Sequence, residues 1–201
     1  MELMSTAPQK RAVSVAEFLE GELVSQIKHE FVDGVVYAMA GATTTHNRIA
    51  TNATGVLYGQ LRGKRCQVFN SDMKLRIRQS RSTRFYYPDL SVACQLNAGN
   101  DSYQDNPVVI VEVLSESTRR VDEYEKREAY LSINSLCAYI LLESNTHAAQ
   151  VYRRTDEGFA SESYVGVEAT IPLPEIDCTL SLGEVYSQVE FVPIQSAQDE
   201  A

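Results

Sequence analysis

Long apolar runs are missing from this sequence. No stretch approaches the roughly 18–20 residues that span a bilayer, although apolar residues fill 44% of the 201 positions. Met1–Arg11 is mixed and polar, with no apolar segment behind it of the kind a secretory signal carries, so a cytoplasmic protein is expected. Cysteine is scarce, and Cys66, Cys94, Cys137 and Cys178 include no Cys-x-x-Cys pair. The histidines His29, His46 and His147 do not join them at ligand spacing, which argues against zinc. Three of the cysteines lie in apolar, strand-like runs, and the expectation is four reduced thiols acting as small buried side chains. Neither an internal repeat nor a dividing linker is present. The length suits one α/β domain with a sizeable core.

Positive charge is absent from the last quarter of the chain. No lysine or arginine follows Arg154, and ten of the 27 acids lie beyond it, leaving seventeen acids against all 18 bases before that point. The net charge of −9 therefore does not exclude a nucleic-acid partner. Between Arg62 and Arg84 there are eight bases and one acid, Asp72. Such a concentration suits either a phosphate backbone or a solvated strand face beside a basic loop.

What is present reads in order along the chain. Residues 1–12 read as a disordered lead-in, 13–192 as one domain and 193–201 as a polar tail. Ser14 and Glu17 have capping-box spacing, predicting a short helix to about Leu23. Asp33-Gly34 between β-rich segments predicts a hairpin. Ile49, Ala53, Val56, Leu57 and Leu61 recur at helical spacing until Gly63. Cys66–Arg78 then alternates with period two, so Lys74, Arg76 and Arg78 are expected on one strand face, and Phe85–Cys94 reads as a further strand. Val108–Leu114 reads as a strand buried on both faces. Ser115–Thr118 should cap a helix to about Ile133, followed by a strand over Cys137–Glu143 and a hairpin around Asp156-Glu157-Gly158. The order predicts an α/β (α+β) fold with a mixed central sheet flanked by helices and an additional β-hairpin region at the C-terminus.

Glu112 interrupts the most apolar strand, where an uncompensated carboxylate would cost several kcal/mol or become protonated. A bound cation or an arginine would each compensate it. Asp89 follows Pro88 at the start of the preceding strand, and if the two strands are neighbours both carboxylates can face one pocket. Paired hard oxygen donors suit Mg²⁺ or Mn²⁺. Lys126, in the helix after Glu112, could bring an ammonium to the same place; alone it reads as a solvated helix residue.

The segments Tyr87-Pro88-Asp89, Val111–Ser115 with Ser117-Thr118, and Asp122-x-x-x-Lys126-x-x-x-Tyr130 resemble the Uma-two family of endonucleases, within the PD-(D/E)XK nuclease superfamily. So do Glu30-x-x-Asp33-Gly34, His46-Asn47 and Ser71-Asp72-Met73. The resemblance covers roughly residues 14 to 190. It implies a restriction-endonuclease-like core, with Asp89 as the metal-binding aspartate, Glu112 as the acid of the (D/E)XK element, and the Val113 carbonyl beside them. Leu114 stands where the superfamily pattern has lysine, and Lys126 matches the lysine that takes its place in the family's next helix. Glu30, His46 and Asp72 match further recurrent positions. Each also has a plain structural reading: an exposed hairpin residue, a helix-start residue and a partner for a neighbouring arginine. The implied activity is Mg²⁺- or Mn²⁺-dependent hydrolysis of phosphodiester bonds, with DNA the favoured substrate and Lys74, Arg76 and Arg78 guiding it. A homodimer would suit cleavage of both strands. Two other readings stay open: a catalytically silent module that binds nucleic acid or protein, and an assembly protein whose C-terminal Ile171, Leu173, Ile176, Leu180 and Leu182 form a dimer surface.

Overall fold

The computed structural model describes residues 11–191; the tail expected over 193–201, and all but the last two residues of the expected lead-in, lie outside the described residues. Helix α1 (Val15–Val24) begins at the predicted capping box, with the Ser14 hydroxyl accepting from the Glu17 N–H and the Glu17 carboxylate accepting from the Ser14 N–H. It lowers Phe18 onto Phe31 of β1 (His29–Val32) and Phe85 of β5 (Ser82–Tyr86), forming a three-ring cluster. Strand β1 turns into β2 (Val35–Ala38) through Asp33 and Gly34, whose φ values of 50° and 93° are those a two-residue primed turn demands.

Helix α2 (Thr44–Leu61) is capped by Thr43 and buries Ile49, Ala53, Leu57 and Leu61 along one stripe. Each large aliphatic side chain of the stripe contributes about 1.5–3 kcal/mol relative to exposure. The stripe lies on a six-stranded sheet in the order β11-β10-β9-β8-β6-β3. Its strands are β3 (Gln67–Asn70), β6 (Leu90–Ala93), β8 (Pro107–Val113), β9 (Ala138–Leu142), β10 (Ala148–Thr155) and β11 (Gly158–Val165). All pairings are antiparallel except β8 with β9, which are joined by a helical crossover. The crossover contains a π-helical segment, Val121–Lys126, running into α3 (Arg127–Leu131). A second sheet, ordered β2-β1-β5-β4-β7, contains β4 (Lys74–Gln79) and β7 (Tyr103–Gln104). Its Leu75, Ile77 and Tyr86 pack with α3 in the core on the other face of the central sheet. The C-terminal pair β12 (Thr170–Leu173) and β13 (Cys178–Ser181), with α4 (Leu182–Val185), joins α2 in the first core. The fold is thus α+β, with a mixed central sheet between helices and an added C-terminal hairpin.

Three expectations are corrected. The segments 66–78 and 85–94 are not single strands. Strands β3, β4, β5 and β6 form one long antiparallel ribbon that leaves the central sheet at Ser71–Met73 and returns at Tyr87–Asp89. The register shifts by one residue across that bend, since Asn70 pairs with Leu90 whereas Leu75 pairs with Tyr86. Pro88, which offers no N–H to a ladder, sits on the returning arm. The four cysteines are not all thiols: Cys66 and Cys94 form a disulfide. They continue the β3–β6 register, in which Gln67 faces Ala93, and spacing alone does not reveal two cysteines made opposite by a ribbon. Finally, Ile171, Leu173, Ile176, Leu180 and Leu182 are buried within the chain's own core and offer no dimer surface. No helix among the described residues is long and apolar enough to cross a membrane.

Gly34 tests the hairpin. A Cβ there would stand 2.8 Å from the Ala12 Cβ, at a positive φ. Gly34→Ala should cost about 1–2 kcal/mol and lower Tm by about 2–8 °C, measured by thermal denaturation followed by circular dichroism.

Candidate active site

The bend of the ribbon fixes the first acid. Asp89 precedes β6, whose Leu90 faces Val111 of β8, so Asp89 comes to lie beside Glu112. The two residues interlock: the Asp89 N–H donates to Glu112 Oε2 at 3.1 Å, and Asp89 Oδ2 accepts from the Val113 N–H at 2.7 Å. His46, in the first turn of α2, brings Nε2 to 3.2 Å from the same Asp89 oxygen. Burial pulls the His46 pKa down, but the Asp89 carboxylate outweighs it and holds the imidazole above its ordinary value. At Nδ1 the ring is buried without a hydrogen-bond partner among the described residues.

Glu112 sits under this layer, with only 4% of its side chain exposed. Its Oε1 accepts from the Tyr130 hydroxyl at 3.0 Å and from Lys126 Nζ at 3.3 Å. Lys126 and Tyr130 are four residues apart and reach the same oxygen from one helical face. The Lys126 ammonium also meets Glu30 Oε1 of β1 at 3.0 Å and Asp122 Oδ1 at 3.5 Å. The Asp122 contact is ionic only, for that oxygen accepts no hydrogen bond among the described residues. The π-helical stretch spans Asp122 to Lys126, and such local widening recurs at functional sites.

Four carboxylates (Glu30, Asp89, Glu112 and Asp122) therefore surround one lysine and one histidine. Burial raises the Glu112 pKa well above the carboxylate range; Lys126 opposes this, while Asp122, Asp89 and Glu30 reinforce it. Asp122 is raised chiefly by burial as well. Lys126 feels burial in the opposite sense, yet Glu112, Glu30 and Asp122 together lift it well above an ordinary lysine. The directions agree: one cation is shared among more anions than it can neutralise. Among the described residues no three His, Cys, Asp or Glu side chains converge as metal ligands. Asp89 and Glu112 are hard oxygen donors set in surplus negative charge, a chemistry that suits Mg²⁺ or Mn²⁺.

Of the sequence-derived candidates, Asp89, Glu112, Lys126, Glu30 and His46 come together. Asp72 does not join them: it lies in the turn after β3, paired with Lys28 at 2.5 Å. Nor do Lys74, Arg76 and Arg78 form a common cationic face. Lys74 is buried and donates to the Tyr87 hydroxyl at 3.1 Å, and burial lowers its pKa. Arg76 forks onto Asp105 with two bonds of 2.7 Å and lies over the Tyr103 ring. Only Arg78 is exposed. The alternation is present, but the second sheet supplies partners for the face expected to be free. Asp122 and Tyr130 are contributors that residue-by-residue reading did not single out as site residues; their spacing of four on either side of Lys126 was the available signal.

Replacing Lys126 with Met would leave Glu30, Glu112 and Asp122 without their common cation. Lys126→Met should cost about 3–5 kcal/mol at neutral pH. The loss should shrink on acidification, because carboxylates with raised folded-state pKa values take up protons as the fold forms, and that contribution fades as pH rises through those values. Urea denaturation of both proteins at several pH values measures this.

Known proteins share both the sequence and the fold. Residues 15–183 match the model of the family Uma2, described as "Putative restriction endonuclease". Two relatives from Synechocystis sp., the uncharacterized proteins slr1290 and sll1609, are 31% and 30% identical to this chain. The first match covers 73% of this chain and 76% of the relative, the second 77% and 88%. A crystal structure from Anabaena variabilis, of a putative nuclease belonging to DUF820, superimposes with a TM-score of 0.66 at 15% identity, over 83% of this chain and 93% of that one. That likeness bears on the fold, which is restriction-endonuclease-like. With the family model spanning nearly all the described residues, the chain belongs to the Uma2 family.

Proposed function

We propose that this protein is a divalent-metal-dependent endonuclease that hydrolyses phosphodiester bonds in DNA. The observation that carries the reading is the meeting of Asp89, Glu112 and Lys126 at one end of the central sheet, within a chain of a nuclease family. Asp89, Glu112 and the Val113 carbonyl would hold Mg²⁺ or Mn²⁺, which when bound supplies Lewis acidity toward the scissile phosphate.

The chain's own groups have distinct tasks. Glu112 and Asp89 fix each other through the backbone N–H bonds described above, so neither carboxylate needs to reorganise during reaction. Lys126 is held as a cation by three acids, and in a water-poor pocket its charge favours the more negative phosphoryl group of the transition state. Tyr130 shares Glu112 Oε1 with Lys126 and limits the rotation of that carboxylate. His46, with Nε2 against Asp89 Oδ2, holds that carboxylate in place. Glu30 anchors Lys126 from β1. The exposed Arg78 is a candidate phosphate contact at a distance from this centre. Cleavage of both strands by a homodimer would need an interface other than the C-terminal hairpin, whose apolar residues are already spent on the core.

The test is nicking of supercoiled plasmid with Mg²⁺ or Mn²⁺. Wild type should cleave, and Asp89→Ala and Glu112→Ala should each lose more than about 100-fold, beyond what outer partners of a metal site cost. The reading is wrong if wild type leaves the plasmid intact with either metal and calorimetry detects no Mn²⁺ binding that depends on both acids.

A further inference from the structure

From Gly34 to Ser71 the sequence contains no acid, in a protein with 27 of them. The same stretch contains Arg48, Arg62, Lys64 and Arg65, and its centre is α2. The buried stripe of that helix faces the sheet, and its opposite side is a second regular stripe. Thr44, Arg48, Thr51, Gly55, Tyr58 and Arg62 succeed one another at alternating steps of four and three, and all six are exposed. The face is smooth between its two arginines, because threonine and glycine keep the backbone accessible. Near its C-terminal end Tyr58, Arg62, Gly63, Lys64, Cys66 and Gln67 line a cleft of about 440 Å³. The tyrosine is 60% exposed there, an apolar ring that the core does not use.

The two arginines are weakly engaged within the protein. Arg48 has one long contact to Gln188, at 3.5 Å, and Arg62 has no ion pair among the described residues. Lys64 is partly neutralised by Asp177 at 2.8 Å, and Arg65 donates to the Cys94 carbonyl. The segment after β13 borders the helix on one side, where the Asn52 amide donates to the Val185 and Ser187 carbonyls. Acids lie beside the helix at Asp177, before β13, and at Glu184 and Glu190 after it, and not on the helix itself.

The direction of α2 links this face to the candidate site. His46 in its first turn touches Asp89 from the sheet side of the helix, and on the opposite side the face runs from Arg48 to Arg62 for about 21 Å. At 3.4 Å per nucleotide this is a track of about six phosphates. We infer that the outer face of α2, from Arg48 to the cleft at Tyr58 and Arg62, is the surface along which a nucleic-acid strand lies as it leaves the Asp89–Glu112 centre. Arg48 and Arg62 contact phosphates, and Tyr58 packs against a sugar or base. The inference rests on the nuclease reading and adds the path of the substrate.

The test is fluorescence anisotropy of a labelled duplex of about 20 base pairs, without divalent metal so that binding is read apart from cleavage. Wild type, Arg48→Gln, Arg62→Gln and the double variant are titrated at several salt concentrations. All substituted positions are exposed, and unchanged Tm values check the fold. Each lost phosphate contact should weaken binding about eightfold at 0.1 M salt and reduce the salt slope by about one. Tyr58→Ala should weaken binding without changing the slope. Wild-type affinity and slope in the double variant would overturn the inference, and plasmid nicking retained by wild type would show that the nuclease reading survives it. Absence of any duplex binding by wild type would also overturn it. Loss of binding in the variants, with no nicking by wild type, would support the face and reject the hydrolytic reading.

Discussion

One lysine shared by three acids is the constraint on which the rest of this architecture depends. Taking charges out of water costs several kcal/mol per ion, and mutual attraction repays that only when geometry is fixed. Here the fixing comes from three separate parts of the chain: β1 brings Glu30, β8 brings Glu112, and the crossover helix brings Asp122 and Lys126 themselves. The hairpin, the central strand and the crossover therefore cannot drift independently. Aromatic packing reinforces the constraint, since Tyr130 lies edge-on to both Tyr86 and Tyr139 while its hydroxyl holds Glu112.

The second organising element is the bent ribbon of β3 to β6. It belongs to two sheets at once, and its return bend puts a short tripeptide, Tyr87-Pro88-Asp89, between two rigid strands. Tyr87 is pinned on both ends: its N–H reaches Glu30 at 3.5 Å, and its hydroxyl donates to Glu22 at 2.6 Å. Lys74 donates to that hydroxyl in turn. The basic residue expected to meet a ligand is thereby a support of the bend, one step removed from Asp89. Opposite, the Cys66–Cys94 disulfide ties the open end of the ribbon. By loop length alone such a tie restricts the unfolded chain by about 3–4 kcal/mol.

Much of this was legible in the sequence wherever the signal was local. The cap of α1, the Asp-Gly turn and the apolar stripe of α2 depend on residues within one turn or one helix, and each is found where expected. Glu112 was legible because a carboxylate inside an apolar strand has few physical solutions. The parts that escaped depend on where distant segments go. Nothing near Lys74 or Arg76 shows that Tyr87 and Asp105 will meet them. Nothing in the spacing of Cys66 and Cys94 places them opposite each other before the ribbon's register is known. Lys126 alone looked like a solvated helix residue, and its burial with Asp122 is made by the sheet beneath the crossover.

The π-helical segment carries a consequence of a different kind. A π-turn is an α-helix accommodating one surplus residue, so the turns on either side keep close to the setting of an uninterrupted helix. Deleting one residue between Asp122 and Lys126 would let the segment close to an α-helix, with Lys126 and Tyr130 still on the face toward Glu112. In an uninterrupted α-helix the same loss would turn everything downstream by about 100°. The crossover thus has one residue to spare, where α2, a plain α-helix, has none.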